Sequence, residues 1–470
     1  MDFATLLETV SNFFLQTPME VVWQLYAIFG YLIFFSLIAH VFEEFFLEYR
    51  QELYKHNWKW VLLAIDTPAL NVQTPKAVEQ FFFHLAGAFN DPGIGEKFWH
   101  GYKQRWFSFE IISIEGYIQF LIRTEETYRD LIEAAIYAQY PDIDITEVED
   151  YVTNVPDKFP SAEFDMWAAD FSLANDDAYP IRTYREFEHA ISKDTVLKDP
   201  MGAFLESFTR IGPGEQMWFQ ILIEPISNSW KEHAIEKINE LIGAESHGHG
   251  HAGAGSKFVD AMTSAPFKFL EQVGDQVFAR EAGESHGADE HAGPMNNLNF
   301  LTPGQKLLVE AMEKKISMLG FKTKMRGLYL GRKEVFRPSR GVSALVGALH
   351  QYNIPTANSI VPKFTSGAHY FFSNYRSNAR KTLLMKAYKK RKIGTGANPC
   401  VLNVEELATI WHFPMSHVKT PALQKSKTKN AEPPMGLPVE TLFQSAPVVE
   451  ERSKDSGVQG GNYPKDTKFG

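Results

Sequence analysis

The stretch that organises this chain is VVWQLYAIFGYLIFFSLIAHVF, residues 21–42, which contains no Asp, Glu, Lys or Arg. At a helical rise of about 1.5 Å per residue, a run of this length matches the roughly 30 Å hydrocarbon thickness of a bilayer. A core helix of a soluble protein is rarely apolar on every side. The stretch therefore predicts one transmembrane helix, preceded by an extracytoplasmic or interfacial segment over residues 1–20.

The charges that flank this run predict its orientation. Residues 1–20 contain no Lys or Arg, whereas Arg50, Lys55 and Lys59 follow the run closely. Basic residues accumulate on the cytoplasmic side of membrane helices. No basic region precedes the run and no small-residue cleavage site follows it, so it does not resemble a removed signal peptide. We expect a single-pass protein of a cytoplasmic membrane, with the C-terminal body in the cytoplasm.

Composition limits the partners of that body. The chain has 470 residues and a formal net charge of −10, which argues against a general affinity for nucleic acid but not against a local basic patch. Cys400 is the only cysteine, so no intramolecular disulfide can form, in agreement with a reducing compartment.

After the apolar run, the patterns of strands and helices alternate. Residues 58–66 read as a strand, Thr74 and Pro75 open a helix, and a hairpin turns at Glu115 and Gly116 between runs 106–114 and 117–123. Thr124 opens a second helix, and an acidic run at 142–150 reads as a solvated strand rather than a calcium loop. This β-α-β-β-α-β order predicts a ferredoxin-like domain over residues 55–151.

A second α+β domain is predicted over residues 160–414. Its predicted strands are 164–173, 215–226 and 321–329, and its predicted helices are 201–211, 230–242, 304–319 and 342–350. The predicted fold class is therefore α+β, with one N-terminal transmembrane helix and tandem ferredoxin-like cytoplasmic units. Residues 244–299 contain too few apolar residues to order and predict a flexible His- and Gly-rich insertion. Residues 415–470 predict a disordered tail.

Histidines in the insertion are the most visible metal-like pattern. Imidazoles bind zinc, copper and nickel, and a flexible tract can gather several around one ion. Glycines between alternate histidines leave them without a fixed geometry, so a metal site and a soluble flexible insertion both remain open. The candidate ligands are His247, His249, His251, His286 and His291.

Motifs for catalysis are missing from the sequence. There is no phosphate-binding loop ending in Gly-Lys-Ser or Gly-Lys-Thr, no His-Glu-x-x-His helix and no Gly-x-Ser-x-Gly turn. We therefore expect a protein that is not itself an enzyme and that needs no cofactor.

One basic run stands out in this acidic protein. Residues 376–392 contain eight cations and no acid, with Tyr375 and Tyr388 beside them. Such a run suits phosphate backbones or anionic lipid headgroups, and a solvated face is an equally open reading. The candidate polyanion-binding residues are Arg376, Arg380, Lys381, Lys386, Lys389, Lys390, Arg391 and Lys392.

Three segments carry a resemblance to a known group. Residues 109–151, residues 199–225 (DPMGAFLESFTRIGPGEQMWFQILIEP) and residues 401–414 (VLNVEELATIWHFP) resemble the N-terminal, non-motor region of bacterial type IV secretion or conjugation ATPases. That region, also found as membrane-anchored proteins in Patescibacteria, leads into an ATPase domain in the family. Here only the predicted tail follows Pro414. The resemblance implies that a separate ATPase supplies the motor.

Two functional hypotheses follow from these patterns. The first is a membrane-anchored scaffold or coupling component of a type IV secretion, conjugation or pilus-like machine, which docks a separate ATPase and assembles as an oligomer. The second is a metal-dependent enzyme or metal-binding membrane protein that uses the His-rich insertion. The cargo, DNA or protein, is not specified by either pattern.

Overall fold

The computed structural model describes residues 18–68, 71–187, 199–242, 301–416 and 425–426. Residues 1–427 form one compact unit, and the second unit, residues 428–470, lies wholly outside the described residues. The His-rich insertion and most of the predicted tail also lie outside them. The unit 1–427 contains both of the domains predicted from the sequence.

Helices and strands alternate through the described chain. The helices are α1 (Pro18–His56), α2 (Pro75–Ala86), α3 (Ile94–Phe98), α4 (Arg129–Tyr137), α5 (Pro200–Thr209), α6 (Trp230–Ile242), α7 (Pro303–Ile316), α8 (Pro338–His350), α9 (Ser373–Lys389) and α10 (Val404–Ile410). The strands are β1 (Trp60–Pro68), β2 (Phe107–Ile114), β3 (Tyr117–Glu125), β4 (Asp144–Glu147), β5 (Phe164–Leu173), β6 (Glu215–Pro225), β7 (Gly320–Arg332), β8 (Ile360–Thr365), β9 (Cys400–Asn403) and β10 (Lys425–Ser426).

The N-terminal helix α1 is 39 residues long and contains the predicted apolar run. Within Gly30–His56, its apolar window of 18 residues has a mean hydropathy of 1.5, and none of that window is buried by the rest of the protein. Phe42 and Phe45 are among the exposed side chains. Length and composition therefore confirm one N-terminal helix that is able to cross a membrane.

All the strands belong to one sheet. Its order is β10-β1-β3-β2-β6-β7-β5-β8, with β4 also pairing with β1 and β9 with β7. Every pairing is antiparallel except that of β1 with β10. The pairing of β2 with β6, from Phe107↔Ile223 to Ile114↔Gln216, joins the two predicted domains. The body is thus an α+β structure on a continuous, mainly antiparallel sheet.

Each face of the sheet has its own core. One face packs against α2, α4, α5, α8 and α10, with alternate residues such as Phe109 and Phe219 buried among them. The other face is covered by residues 151–159 and by α9, which place Val155 and Leu384 over strand residues such as Trp218. Since side chains alternate along a strand, both faces of the central strands are buried, each against its own apolar cluster.

The C-terminal segment 400–414 lies at the centre of the larger core. Asn403 and Glu406 form a capping box that starts α10, and Glu406 also pairs with Lys315 at 3.1 Å inside the protein. Trp411 is 1% exposed, and its ring centroid lies 4.9 Å from that of Phe109. The segment therefore organises the core, and its own apolar side chains need the sheet in order to be buried.

Several sequence-based boundaries differ from the observed ones. The strand predicted at 142–150 is limited to β4, because Asp150 turns away and begins a 3₁₀ turn at Tyr151–Asn154. Residues Lys425–Ser426, assigned to the disordered tail, pair with β1. The helix α9 was not predicted. Its many charged residues obscure, in the sequence pattern, the short apolar side of the helix.

One edge of the sheet is formed by β8. It pairs with β5 from Ile360↔Leu173 to Thr365↔Ala169, and the register shifts between Asp170 and Phe171. The residues at this shift are Pro362 and the exposed Lys363.

Candidate functional site

Half of the basic run is used inside the protein. Arg380 donates a hydrogen bond to the Gly367 carbonyl at 2.6 Å, Lys381 pairs with Asp165 at 2.5 Å, and Lys389 pairs with Asp157. The fourth of these cations is Arg391, which is buried. The remaining four side chains are exposed: Arg376, Lys386, Lys390 and Lys392.

Arg391 corrects one of the polyanion-binding candidates. Its side chain is 1% exposed, and its guanidinium donates to both oxygens of Glu110, with Nε 3.0 Å from Oε1 and Nη2 3.2 Å from Oε2. It also donates to Asp150, with Nη1 2.5 Å from Oδ2. A guanidinium held in this way cannot reach a phosphate outside the protein. Charge density alone did not reveal that Arg391 is a structural residue.

Glu110 belongs to a row of buried polar side chains that crosses four neighbouring strands. Glu110, Gln220, Arg326 and Asp170 are register partners on β2, β6, β7 and β5. Gln220 Nε2 donates to Glu110 Oε1 at 2.9 Å, and Arg326 Nε donates to Asp170 Oδ1 at 2.6 Å. We call these four residues the polar row. Each of these four side chains is fully buried. Burial of their polar and charged groups is therefore tolerated only because these groups pair with one another.

The loop after α9 closes over the polar row. Arg326 Nη2 donates to the carbonyls of Lys392 at 3.2 Å and Thr395 at 3.0 Å, and the Ala397 amide donates to Asp170 Oδ2 at 3.1 Å. Gly396 has a φ of +90°, and a Cβ there would lie 1.9 Å from Asp170 Oδ2. The loop therefore needs glycine at this point to cover the row.

The pKa of Glu110 reflects this environment. Burial alone raises the pKa, but the charge and hydrogen bonds of Arg391, together with hydrogen bonds from Ser108 and Tyr151, lower it to about 2. Tyr388 belongs to the same hydrogen-bond network, because its hydroxyl lies 2.7 Å from that of Tyr151. Of the two tyrosines beside the basic run, Tyr388 is therefore internal and Tyr375 is 77% exposed.

A cleft beside the end of α1 gathers the exposed end of the basic run. The cleft has a volume of about 210 Å³, and we call it the juxtahelical cleft. An adjoining cleft of about 290 Å³ shares Glu52, Lys55, Trp106 and Lys392 with it. The residues that line the juxtahelical cleft are Glu52, Lys55, Trp58, Trp60, Trp106, Arg123, Lys390 and Lys392.

Positive charge dominates the juxtahelical cleft. The Arg123 guanidinium lies 4.3 Å from the centre of the Trp60 ring, and its pKa is lowered to about 10 by burial and by the charge of Arg391. The pKa of Glu52 is lowered by its hydrogen bond to Lys55, with Lys392 and Lys390 contributing charge. Among the described residues, no carboxylate forms a salt bridge with Arg123, Lys390 or Lys392. The cleft is thus suited to an anion such as a phosphate.

An exposed aromatic group lies around the start of α9. Tyr370, Phe371, Phe372 and Tyr375 are between 77% and 88% exposed, and the backbones of Tyr370 and Phe372 have positive φ angles of 70° and 55°. The sequence signal was available as HYFFSNY, but sequence reasoning noted only Tyr375. Aromatic side chains displayed in this way are typical of contact surfaces.

Other candidate sites fall in different places. His247, His249, His251, His286 and His291 lie outside the described residues, and within the described ranges no group of three or more His, Cys, Asp or Glu is arranged to hold a metal. In the acidic run, Glu147 pairs with Arg129 at 2.7 Å. Asp150 departs from the predicted solvated face because it binds Arg391.

Replacing Arg391 with Gln should lower the free energy of unfolding by about 3–5 kcal/mol, because Glu110 would keep a buried charge without its partner. The neighbouring Lys390→Gln is the matched control, since Lys390 is exposed and its change should stay within about 0.5 kcal/mol. Urea unfolding followed by circular dichroism measures both. Equal midpoints for the two variants would contradict the structural role of Arg391.

Stability should also fall in acid. Because the folded pKa of Glu110, about 2, lies below its ordinary value of 4.5, its ionisation contributes full stability above pH 4.5. That contribution, on the order of 3 kcal/mol, is lost as the pH falls from 4.5 towards 2.

The variant that tests this pH dependence is Glu110→Gln. It should be less stable at pH 7 and should lose less stability than the wild type between pH 4.5 and 2. Glu149→Gln removes an exposed carboxylate and should keep the wild-type dependence of the unfolding free energy on pH. Urea midpoints across this range provide the measurement, and an unchanged acid slope in Glu110→Gln would assign the acid sensitivity to other groups.

Comparison with known proteins gives one family and no named function. No curated protein sequence matches the chain. A family model described as a domain of unknown function (DUF8128) matches residues 103–426, a range that includes the polar row, α9 and segment 400–414. The chain belongs to the DUF8128 family.

Proposed function

We propose that this protein is a single-pass membrane scaffold whose α+β body docks other proteins. The observation that carries the proposal is α1, which presents an uncovered apolar surface of sufficient length for a bilayer and then packs directly onto the body. Arg105 Nη1 donates to the Tyr54 hydroxyl at 2.9 Å at this junction. A body attached in this way is held next to the membrane surface.

The proposed membrane is the bacterial cytoplasmic membrane, with the body on the cytoplasmic side. Arg50, Lys55 and Lys59 at the body end of α1 support this orientation, because basic residues remain preferentially in the cytoplasm. The resemblance of residues 55–414 to conjugation proteins supports a bacterial source.

The body is proposed to consist of two ferredoxin-like units that share one sheet. The order β4-β1-β3-β2 in the first half and the order β8-β5-β7-β6 in the second support this proposal, since both place the strands as 4-1-3-2. Between β6 and β7 the second half carries α6 and α7 in place of a hairpin. Such a fold is compatible with many activities, so the functional proposal rests on α1 and on the resemblance.

The machine proposed for this scaffold is a type IV secretion, conjugation or pilus-like assembly with a separate ATPase. The resemblance supports the machine, and the burial of charged side chains such as Glu110 and Lys315 in internal pairs supports a structural use of these groups. The scaffold is proposed to act as an oligomer within that assembly.

Crosslinking and affinity purification from native membranes test this proposal. We expect the full chain to remain in the membrane fraction after alkaline extraction, to bring down an ATPase, and to hydrolyse no ATP alone. A purified chain that hydrolyses ATP, and that loses this activity on mutation within the chain, would overturn it. A matched purification with α1 exchanged for an unrelated membrane helix controls for capture by the anchor.

We further propose that the juxtahelical cleft and the exposed end of α9 bind a polyanion, either anionic lipid or DNA. Lys390 and Lys392 line the cleft just after the end of α9, and Lys386 is exposed in the last turn of that helix. Their closeness to the end of α1 favours lipid headgroups over DNA.

A salt titration of the full chain in phosphatidylcholine nanodiscs tests this binding, with phosphatidylglycerol vesicles and duplex DNA as probes. The triple change of Lys386, Lys390 and Lys392 to Gln should abolish binding, and each lysine lost should remove roughly one unit of logarithmic salt slope with DNA. The control changes the exposed Lys306, Lys333 and Lys363 to Gln. Equal weakening by both triple variants would show only a general charge effect.

A further inference from the structure

We propose that α3 and Trp99 form a second membrane contact, which inserts into the interfacial layer of the bilayer beside α1. The inference rests on the proposed insertion of α1 and goes beyond it, because it assigns a lipid-binding surface to the body itself. The segment concerned is GIGEKFWH, residues 93–100, in the connection between α2 and β2. We call it the interfacial segment.

The interfacial segment is fixed against α1. The ring centroid of Phe46 on α1 lies 5.2 Å from that of Phe98 and 6.3 Å from that of Trp99. The Arg50 guanidinium donates to the Trp99 carbonyl. Gly101, with a φ of +67°, approaches so closely that a Cβ would lie 2.4 Å from the Arg50 backbone. These contacts hold the segment at one level along the helix.

That level corresponds to the membrane interface. Phe46 lies four residues after Phe42, the last residue of the predicted span, which is about 6 Å along a helix. The polar layer on each side of the hydrocarbon core is about 5–7 Å thick. Phe46 and the Phe98 ring packed on it therefore lie within the headgroup layer when residues 21–42 span the core. Trp99, which contacts both Phe46 and Arg50, extends from this layer towards the water side. Tryptophan is enriched at this depth in membrane proteins.

The exposed side chains of the segment match this environment. Ile94 is 87% exposed and Trp99 is 64% exposed, although both are apolar. The charged side chains of the segment are also exposed: Lys97, whose long apolar stem can lie along the interface, pairs with Asp91 at 3.8 Å, and Glu96 has to face the water side. Among the described residues nothing covers Ile94, which lies one helical turn from Phe98, so a bilayer interface at the level of Phe46 would be within its reach. The body would then be held at two points, which restricts its tilt on the membrane.

Depth-dependent fluorescence quenching tests the inference on the full chain. The single cysteine, Cys400, is 2% exposed, and burial together with the charge of Asp177 raises the pKa of its thiol to about 12. It should therefore remain unlabelled, and labelling of the wild type reports unfolding. An environment-sensitive fluorophore is attached to Ile94→Cys, to Leu37→Cys within the apolar run, and to Tyr117→Cys at the hairpin turn.

Each variant is reconstituted in bilayers of phosphatidylcholine and phosphatidylglycerol in equal amounts, with nitroxide lipids labelled at the headgroup or deep in the acyl chain. We expect label 94 to be quenched several-fold more than label 117, chiefly by the headgroup nitroxide, and label 37 chiefly by the deep nitroxide. If label 37 is quenched and label 94 behaves like label 117, the second contact is wrong and the anchor stands. If label 37 is not quenched, the anchor and the second contact are both wrong.

Discussion

The pairing of Arg391 with Glu110 is the interaction on which the two faces of the body depend. Glu110 sits in the middle of the sheet, where a carboxylate without a partner would oppose folding. Its partner arrives from the turn after α9, and the same turn supplies carbonyls to Arg326. Assembly of the polar row therefore requires the first half of the sheet, the second half and the C-terminal region together. This requirement adds to the pairing of β2 with β6, which joins the two halves of the sheet.

Local patterns predicted most of the elements up to residue 350, but β8, α9, β9 and α10 were not predicted, and neither were the long-range pairings. The hairpin of β2 and β3 was predicted because alternation and the turn at Glu115 and Gly116 are local signals. The union of β2 with β6 was not, since register between distant strands has no local signature. The burial of Arg391 was missed for the same reason: Glu110 is 281 residues away in the sequence and Asp150 is 241. For the candidate site, the sequence showed which side chains are charged but not which of them form pairs inside the folded protein.

Segment 401–414, which carries part of the resemblance, is explained by packing. The His412 ring is fully buried, with Nδ1 2.8 Å from the Ala408 carbonyl and Nε2 2.8 Å from Asp199. Both ring nitrogens therefore have an oxygen atom within hydrogen-bond distance. Burial raises the pKa of Asp199, but its contacts with His412 and with the backbone amides of Met415 and Met201 lower it overall, and Asp199 also begins α5. The motif His-Phe-Pro thus joins the end of α10 to the start of α5 in the core.

The irregular strand β8 has a consequence for how copies of this protein can meet. A regular edge strand offers unpaired amides and carbonyls to any other chain, and such edges promote aggregation. In β8 the proline at 362 removes one amide, and the shifted register beside Lys363 breaks the straight row of donors and acceptors. Growth of the sheet from molecule to molecule is therefore disfavoured at β8. Copies that meet on this side of the body would do so through helices and loops, and such contacts can separate without unravelling the fold.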